Sequence, residues 1–260
     1  MFRRTFPLTR SVLCAFALLL LATPRAEAQQ ATSDVSALDG EGWDLTVTPF
    51  AWGAEQRGTV TARGVEASAD IDFSDLLDVA DVVAAMGFEA RRGRFALQLD
   101  GLYLDIEEEV DGRLLDIDVG LEQLIMQSFA KYRVLEEPFQ LELLGGARYY
   151  RLETEIDFAR LPLDSEQDRD WLDPLVGMSL ATDLTDALQF TFRGDFGGFG
   201  VGSDRMWSAA GTFIYRMNDR WKLHLGYNIL SLDYDDGSGS DLFEYNVKQR
   251  GPVLAFSYRF

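Results

Sequence analysis

From Trp43 to the C-terminal residue Phe260, apolar side chains recur at every second position, segment after segment. Residues 221–229 set Trp221, Leu223, Leu225, Tyr227 and Ile229 against Lys222, His224, Gly226 and Asn228. Leu188, Phe190, Phe192 and Phe196 stand against Gln189, Thr191, Arg193 and Asp195, and the pattern returns at 95–103 and 139–149. A period of two places alternate side chains on opposite faces of an extended strand, so the chain is committed to an all-β fold. A soluble sandwich alternates too, with its apolar faces inward. Three features favour a membrane barrel: long strands, fully charged opposite faces, and connections that alternate between short and long.

Short turns are predicted at 91–94, 135–138, 184–186 and 217–220, and longer segments near 60–80, 107–114, 158–169, 198–204 and 234–243. They divide the chain into ten strands, at 43–57, 81–91, 94–107, 115–134, 139–157, 170–182, 187–198, 204–217, 220–234 and 244–260. An even count with short turns at one end describes a transmembrane antiparallel up-and-down β-barrel with periplasmic turns and external loops. Eight strands is the alternative count. The parity of the apolar residues changes at Glu122–Met126, which predicts a β-bulge. Within 58–80, a small external hairpin and a helical turn at 73–80 (FSDLLDVA) are expected.

Residues 1–28 read as a secretory signal peptide: Arg3, Arg4 and Arg10, then the apolar run 12–22, Pro24, and Ala26-Glu27-Ala28 before the cut. The run is too short to span ~30 Å of hydrocarbon. RRTF at 3–6 only weakly matches a twin-arginine signal, and the single Cys14 would leave with the peptide. A periplasmic leader is expected at 29–42 and the barrel at 43–260, in the cell outer membrane.

The whole chain carries −19, and without residues 1–28 the remainder carries −22. This excludes nucleic acid as a partner, because nucleic-acid binding needs clustered cations. One Cys and one His, His224, exclude a disulfide, a multi-Cys zinc site and a multi-His catalytic metal site.

The predicted inward faces gather Asp44, Glu89, Arg91, Asp100, Glu142, Arg148, Asp173, Arg193, Asp195, Arg216, Lys222, His224 and Arg259. In a narrow barrel such charges are expected to pair into a lumen-filling plug. A charge-lined conduit for small solutes or ions is the alternative. His224 lies near the periplasmic turn, the wrong end for external substrates, and no nucleophile–base set is evident, so no enzyme is expected. The glycines of 194–202 sit between strands, where a phosphate cradle would need a strand–loop–helix, and read as a tight external hairpin. Acidic clusters fall at Glu107, Glu108, Glu109 and Asp111, at Asp164, Glu166, Asp168 and Asp170, and at Asp233, Asp235, Asp236 and Asp241. Solvated loops explain them. Calcium or magnesium at Asp233, Asp235, Asp236 and Asp241 is the weaker reading, since DYDDGSGSD lacks the EF-hand's bidentate acid. No other cofactor is expected.

Several segments are similar to an uncharacterised family of Gram-negative outer-membrane β-barrel proteins: TPFAW (48–52), FSDLLD (73–78), MGFEARRGRFAL (86–97), LLGGARYY (143–150), WLDPLVG (171–177), GDFGGFGVGSD (194–204), GYNILSLDYD (226–235) and GPVLAFSYRF (251–260). The resemblance implies the compartment and the barrel, and no activity. Phe260, with Tyr258 and Phe256 on one face, resembles the terminal strand read by the barrel-assembly machinery. The expected protein is a monomer with a structural or surface-interaction role, meeting outer-membrane lipid and lipopolysaccharide.

Overall fold

In the computed structural model the described residues are 42–62, 65–68, 70, 80–110, 117–158, 165–239 and 242–260. The predicted signal peptide, the leader but for Gly42, the helical turn at 73–80 but for Ala80 (a strand residue), Asp111, Asp164 and Asp241 lie outside them.

Twelve strands follow in order: β1 (Asp44–Trp52), β2 (Glu55–Ala62), β3 (Val65–Ser68), β4 (Ala80–Arg92), β5 (Phe95–Val110), β6 (Ile117–Leu135), β7 (Gln140–Phe158), β8 (Ser165–Asp183), β9 (Leu188–Gly197), β10 (Arg205–Arg216), β11 (Trp221–Asp236) and β12 (Phe243–Arg259). Ten of them, β1 and β4 to β12, form an antiparallel wall that closes where β1 pairs with β12. Closure leaves the wall no free edge. It is reinforced by the Phe260 amide donating to the Leu45 carbonyl (3.0 Å) and by Arg259 on Asp44 (2.5 Å). The chain is therefore all-β, a ten-stranded barrel, and the eight-strand alternative falls.

β2 continues the path of β1 along the far half of β12, and β3 folds back on β2, giving the expected hairpin. The short turns lie where predicted. The opposite end differs, because β5, β6, β7 and β8 run on through much of the predicted loops. Glu107, Glu108 and Glu109 therefore belong to β5, and Glu166, Asp168 and Asp170 to β8. Antiparallel neighbours satisfy their backbone groups by lengthening together, which an acidic composition does not forbid.

The expected bulge at Glu122–Met126 is absent: β6 pairs with β5 and β7 without a register break from Ile117 to Arg133. The parity changes because the surroundings change. In the short-turn half, Leu97, Leu143, Val176, Phe192, Phe213, Leu225 and Leu254 point outward and are exposed. In the loop half, apolar side chains turn inward: Ile125, Leu152, Trp171, Leu230, Leu232, Tyr234, Tyr245 and Val247 are buried together. Their outward neighbours there are Arg151, Asp168, Asp170 and Glu244, all exposed. On β11 the switch falls between Ile229 and Leu230. At ~3.3 Å per residue and a tilt near 40°, the outward apolar stretch from Leu172 to Leu180 rises roughly 20–25 Å, the height of a membrane belt. Aromatic side chains ring its short-turn rim: Trp43, Phe95, Tyr132, Tyr215, Trp221 and Phe260 are exposed.

Candidate functional site: the filled lumen

Alternation aims one face of every strand into the lumen, so residues far apart in sequence converge there. In the short-turn half they form a charge network. Arg91 of β4 reaches Glu89 (3.1 Å) and, across three strands, Glu142 (2.7 Å), which also meets Arg133 (3.3 Å). Lys131 pairs with Glu89 and donates to Gln98 (2.8 Å). Gln98 and Gln127 each donate to Asp100 at 2.7 Å. Deeper still, the fully buried Arg148 meets Asp195 (3.2 Å) and donates to Gln127 (2.8 Å), while Ser208 donates to Asp195 (2.6 Å). Arg193 stands 3.9 Å from Asp195 and packs its guanidinium over the Phe129 ring at 5.3 Å.

The other predicted lumen residues are placed differently. Arg216 and Arg259 pair with Asp183 and Asp44 at the rim, each at 2.5 Å. Lys222 points inward beside them. His224 Nε2 lies 2.6 Å from Ser257 Oγ, which lies 3.0 Å from Thr48 Oγ1. This hydroxyl–imidazole chain is held on three neighbouring strands. Lys131, Arg133, Gln98 and Gln127 were not among the expected members, although the parity of β5 and β6 points all four inward.

Above Arg148 the interior becomes aromatic. Tyr150, Trp171 and Tyr234 stack in series, with centroids 5.0 and 4.0 Å apart, and Tyr245 leans on Trp171 at 6.3 Å. A small polar bridge crosses this layer: Gln249 of β12 donates to Gln56 (2.8 Å) and to Gln123 of β6 (3.2 Å). β6 stands four strands from β12 around the wall, so the bridge spans the lumen. The expected ion pairs are present inside the barrel, and a packed apolar core, which the charge pattern did not announce, lies above them.

Between the layers sits a latch. Asp173 is 0% exposed, and its carboxylate accepts the Ser203 amide and hydroxyl, each at 2.6 Å, while Trp171 Nε1 donates to Ser203 Oγ at 3.0 Å. The β9–β10 turn is thereby drawn inward. Two glycines permit it. Gly198 has φ +89°, and a Cβ on Gly202 would meet Asp173 Oδ1 at 2.6 Å and the Leu172 carbonyl at 2.8 Å. The segments WLDPLVG and GDFGGFGVGSD are thus two halves of one contact.

At the loop end the described acidic side chains take separate surroundings, and Asp241 of the candidate ion site lies outside the described residues. Asp233 is engaged by Arg205 (3.4 Å), Asp235 shares the outer face with it beside Asp204, whose like charge holds its carboxyl above the usual range, and Asp236 lies on the opposite strand face, 4.0 Å from Arg169. Among the described residues no three His, Cys, Asp or Glu side chains converge to hold a metal.

Comparison with solved structures supports the fold. The outer membrane protease OmpT from Escherichia coli superposes with a TM-score of 0.53 at 11% identity, covering 84% of this chain and 97% of that one. The translocator domain of the autotransporter NalP from Neisseria meningitidis gives 0.45 at 12% identity, covering 97% and 98%. The transport unit of the autotransporter AIDA-I from Escherichia coli gives 0.44 at 8%, covering 96% and 97%. No family model and no curated protein matches the sequence. The chain has the barrel fold of an outer-membrane protein of known structure, with buried salt bridges inside.

Proposed function

We propose that the chain is an outer-membrane barrel with a closed lumen, whose role is structural and surface-interacting rather than conductive or catalytic. One observation carries the reading: side chains from facing walls bond directly across the interior, Gln249 to Gln123, beneath and beside a stacked aromatic layer. A conduit needs a continuous water-filled path, and both layers interrupt it. The exposed apolar belt with its aromatic rim supports the membrane location, and the long strand extensions with charged outer faces supply the surface that meets headgroups and partners. His224 and Ser257 act in this reading as a wall-to-wall hydrogen bond.

Planar-bilayer recording tests it. Refolded protein that migrates faster unheated than boiled on a gel, showing an intact barrel, is expected to give no discrete conductance steps. Steps altered by Arg148→Ser would overturn the closed lumen in favour of a narrow channel for small solutes.

A further inference from the structure

Of the buried side-chain polar atoms without a hydrogen-bond partner among the described residues, three belong to one stretch of the lumen wall. They are Arg193 Nε on β9, Asn228 Oδ1 on β11 and Trp52 Nε1 on β1, each shut off from solvent. Strand register brings them together. Arg193 lies opposite Ala210, Ala210 opposite Asn228, and Asn228 opposite Gly251, a single cross-strand row over β9, β10, β11 and β12. Trp52, 9% exposed, lies opposite Val253, the next inward position after Gly251 on β12. Only Ala210 therefore separates Arg193 from Asn228 along the row, and the bare Gly251 stands between Asn228 and Trp52. Glycine is required there, because a Cβ would meet the Gly53 carbonyl of the neighbouring chain at 1.8 Å.

A buried donor or acceptor left unpaired carries its full desolvation cost, which folded interiors rarely leave standing. Charge is not what is missing. Asp195 balances Arg193 from 3.9 Å, too far for the Nε–H to bond, and Asp195 is itself held by Arg148 and Ser208. The missing partner is therefore neutral. It has to accept from an N–H of Arg193 or Trp52 and donate to the amide oxygen of Asn228. A hydroxyl does both, and the two lone pairs of Oδ1 serve two hydroxyls, one on each side.

We propose that this shelf of the lumen wall seats two neutral hydroxyl oxygens. One lies over Ala210, accepting from Arg193 Nε–H and donating to Asn228. The other lies over Gly251, accepting from Trp52 Nε1–H and donating to the same amide oxygen. Each has two protein partners and its neighbour, about the three bonds that an enclosed water makes. Two waters supply such a pair as separate molecules, and a small polyol supplies it in one. The site faces the lumen and does not depend on what surrounds the barrel. The test is nuclear magnetic resonance on the refolded full barrel with ¹⁵N-labelled tryptophan indoles, the Trp52 signal being the one lost in Trp52→Phe. Its indole proton is expected to show a through-space cross-peak to water, which disappears in Asn228→Leu. In buffer containing glycerol, a cross-peak to the carbon-bound glycerol protons in place of water assigns the pair to a polyol. No cross-peak to either, or one to water that Asn228→Leu leaves unchanged, overturns the site. Guanidinium unfolding gives a second reading that does not need the indole signal. Because Trp52 and Asn228 share one hydroxyl, Trp52→Phe/Asn228→Leu should shift the midpoint by less than the two single shifts combined. Additive shifts would overturn the shared oxygen.

Discussion

Arg148 and Asp195 show what burial does to a single pair. Both are buried, 3.2 Å apart, and the arginine also donates to Gln127 while Ser208 supports the aspartate. Removing one partner leaves an uncompensated charge in the barrel, so Arg148→Ala is expected to cost about 3–5 kcal/mol. Arg148→Ala/Asp195→Ala should cost less than the sum of the two single changes. Guanidinium unfolding in one detergent measures all three variants. The latch follows the same logic with smaller numbers. Ser203→Ala removes the hydroxyl between Asp173 and Trp171, and about 1–3 kcal/mol should be lost. The β9–β10 turn should then be cut faster by protease between 198 and 204 than in the wild type.

A strand such as β11 reads its surroundings twice. Its outward residues are Leu223, Leu225 and Tyr227 below, then Ser231, Asp233 and Asp235 above, and the inward sequence inverts in step, from His224 to Leu230, Leu232 and Tyr234. On β8 the same belt places Val176 near mid-height at 57% exposure, so Val176→Arg should destabilise the bilayer-inserted barrel by about 2–4 kcal/mol. A water-facing position would tolerate the change, and urea titration in liposomes distinguishes the two. The alternation at 221–229 was plain in the sequence, and so were all ten wall strands. The inversion at Ile229–Leu230 was not, because two adjacent apolar residues look like a slip in register when the change of surroundings along the strand is unseen. Glu122–Met126 misled for that reason. The charged lumen positions were legible from parity. Gln56, Gln123 and Gln249 gave no signal, being neutral amides, and Asp173–Ser203 joins a strand to a turn that no periodicity connects. Where β11 ends, Asp235 is pressed by Asp204 through a hydrogen bond and like charge, with Asp233 and Glu244 adding repulsion and Arg205 close by on Asp233. Its folded pKa is raised, so its favourable share of stability is present below the unfolded carboxylate pKa of about 4 and is lost as pH rises through the folded value. Asp235→Asn should therefore raise the thermal midpoint at pH 7 and leave it unchanged at pH 3.

Over the whole molecule the two layers act in series. An ion crossing the barrel would pass the network of Glu89, Arg91, Lys131, Glu142, Arg148 and Asp195, then the stack of Tyr150, Trp171, Tyr234 and Tyr245. The first layer is polar and would admit water once its side chains were shortened. The second is apolar and packed, and would still exclude it. Two barriers in series conduct only when both are breached, so the variants should be non-additive. Arg91→Ser/Arg148→Ser alone is expected to stay silent in a planar bilayer, because the aromatic layer remains. Trp171→Ala/Tyr245→Ala alone should also stay silent, since Arg148, Gln127 and Asp195 still cross-link the wall beneath. All four changes together should give discrete steps, provided the unheated protein keeps its faster gel mobility. Conductance from the polar-layer pair alone would show that the aromatic stack does not seal the barrel.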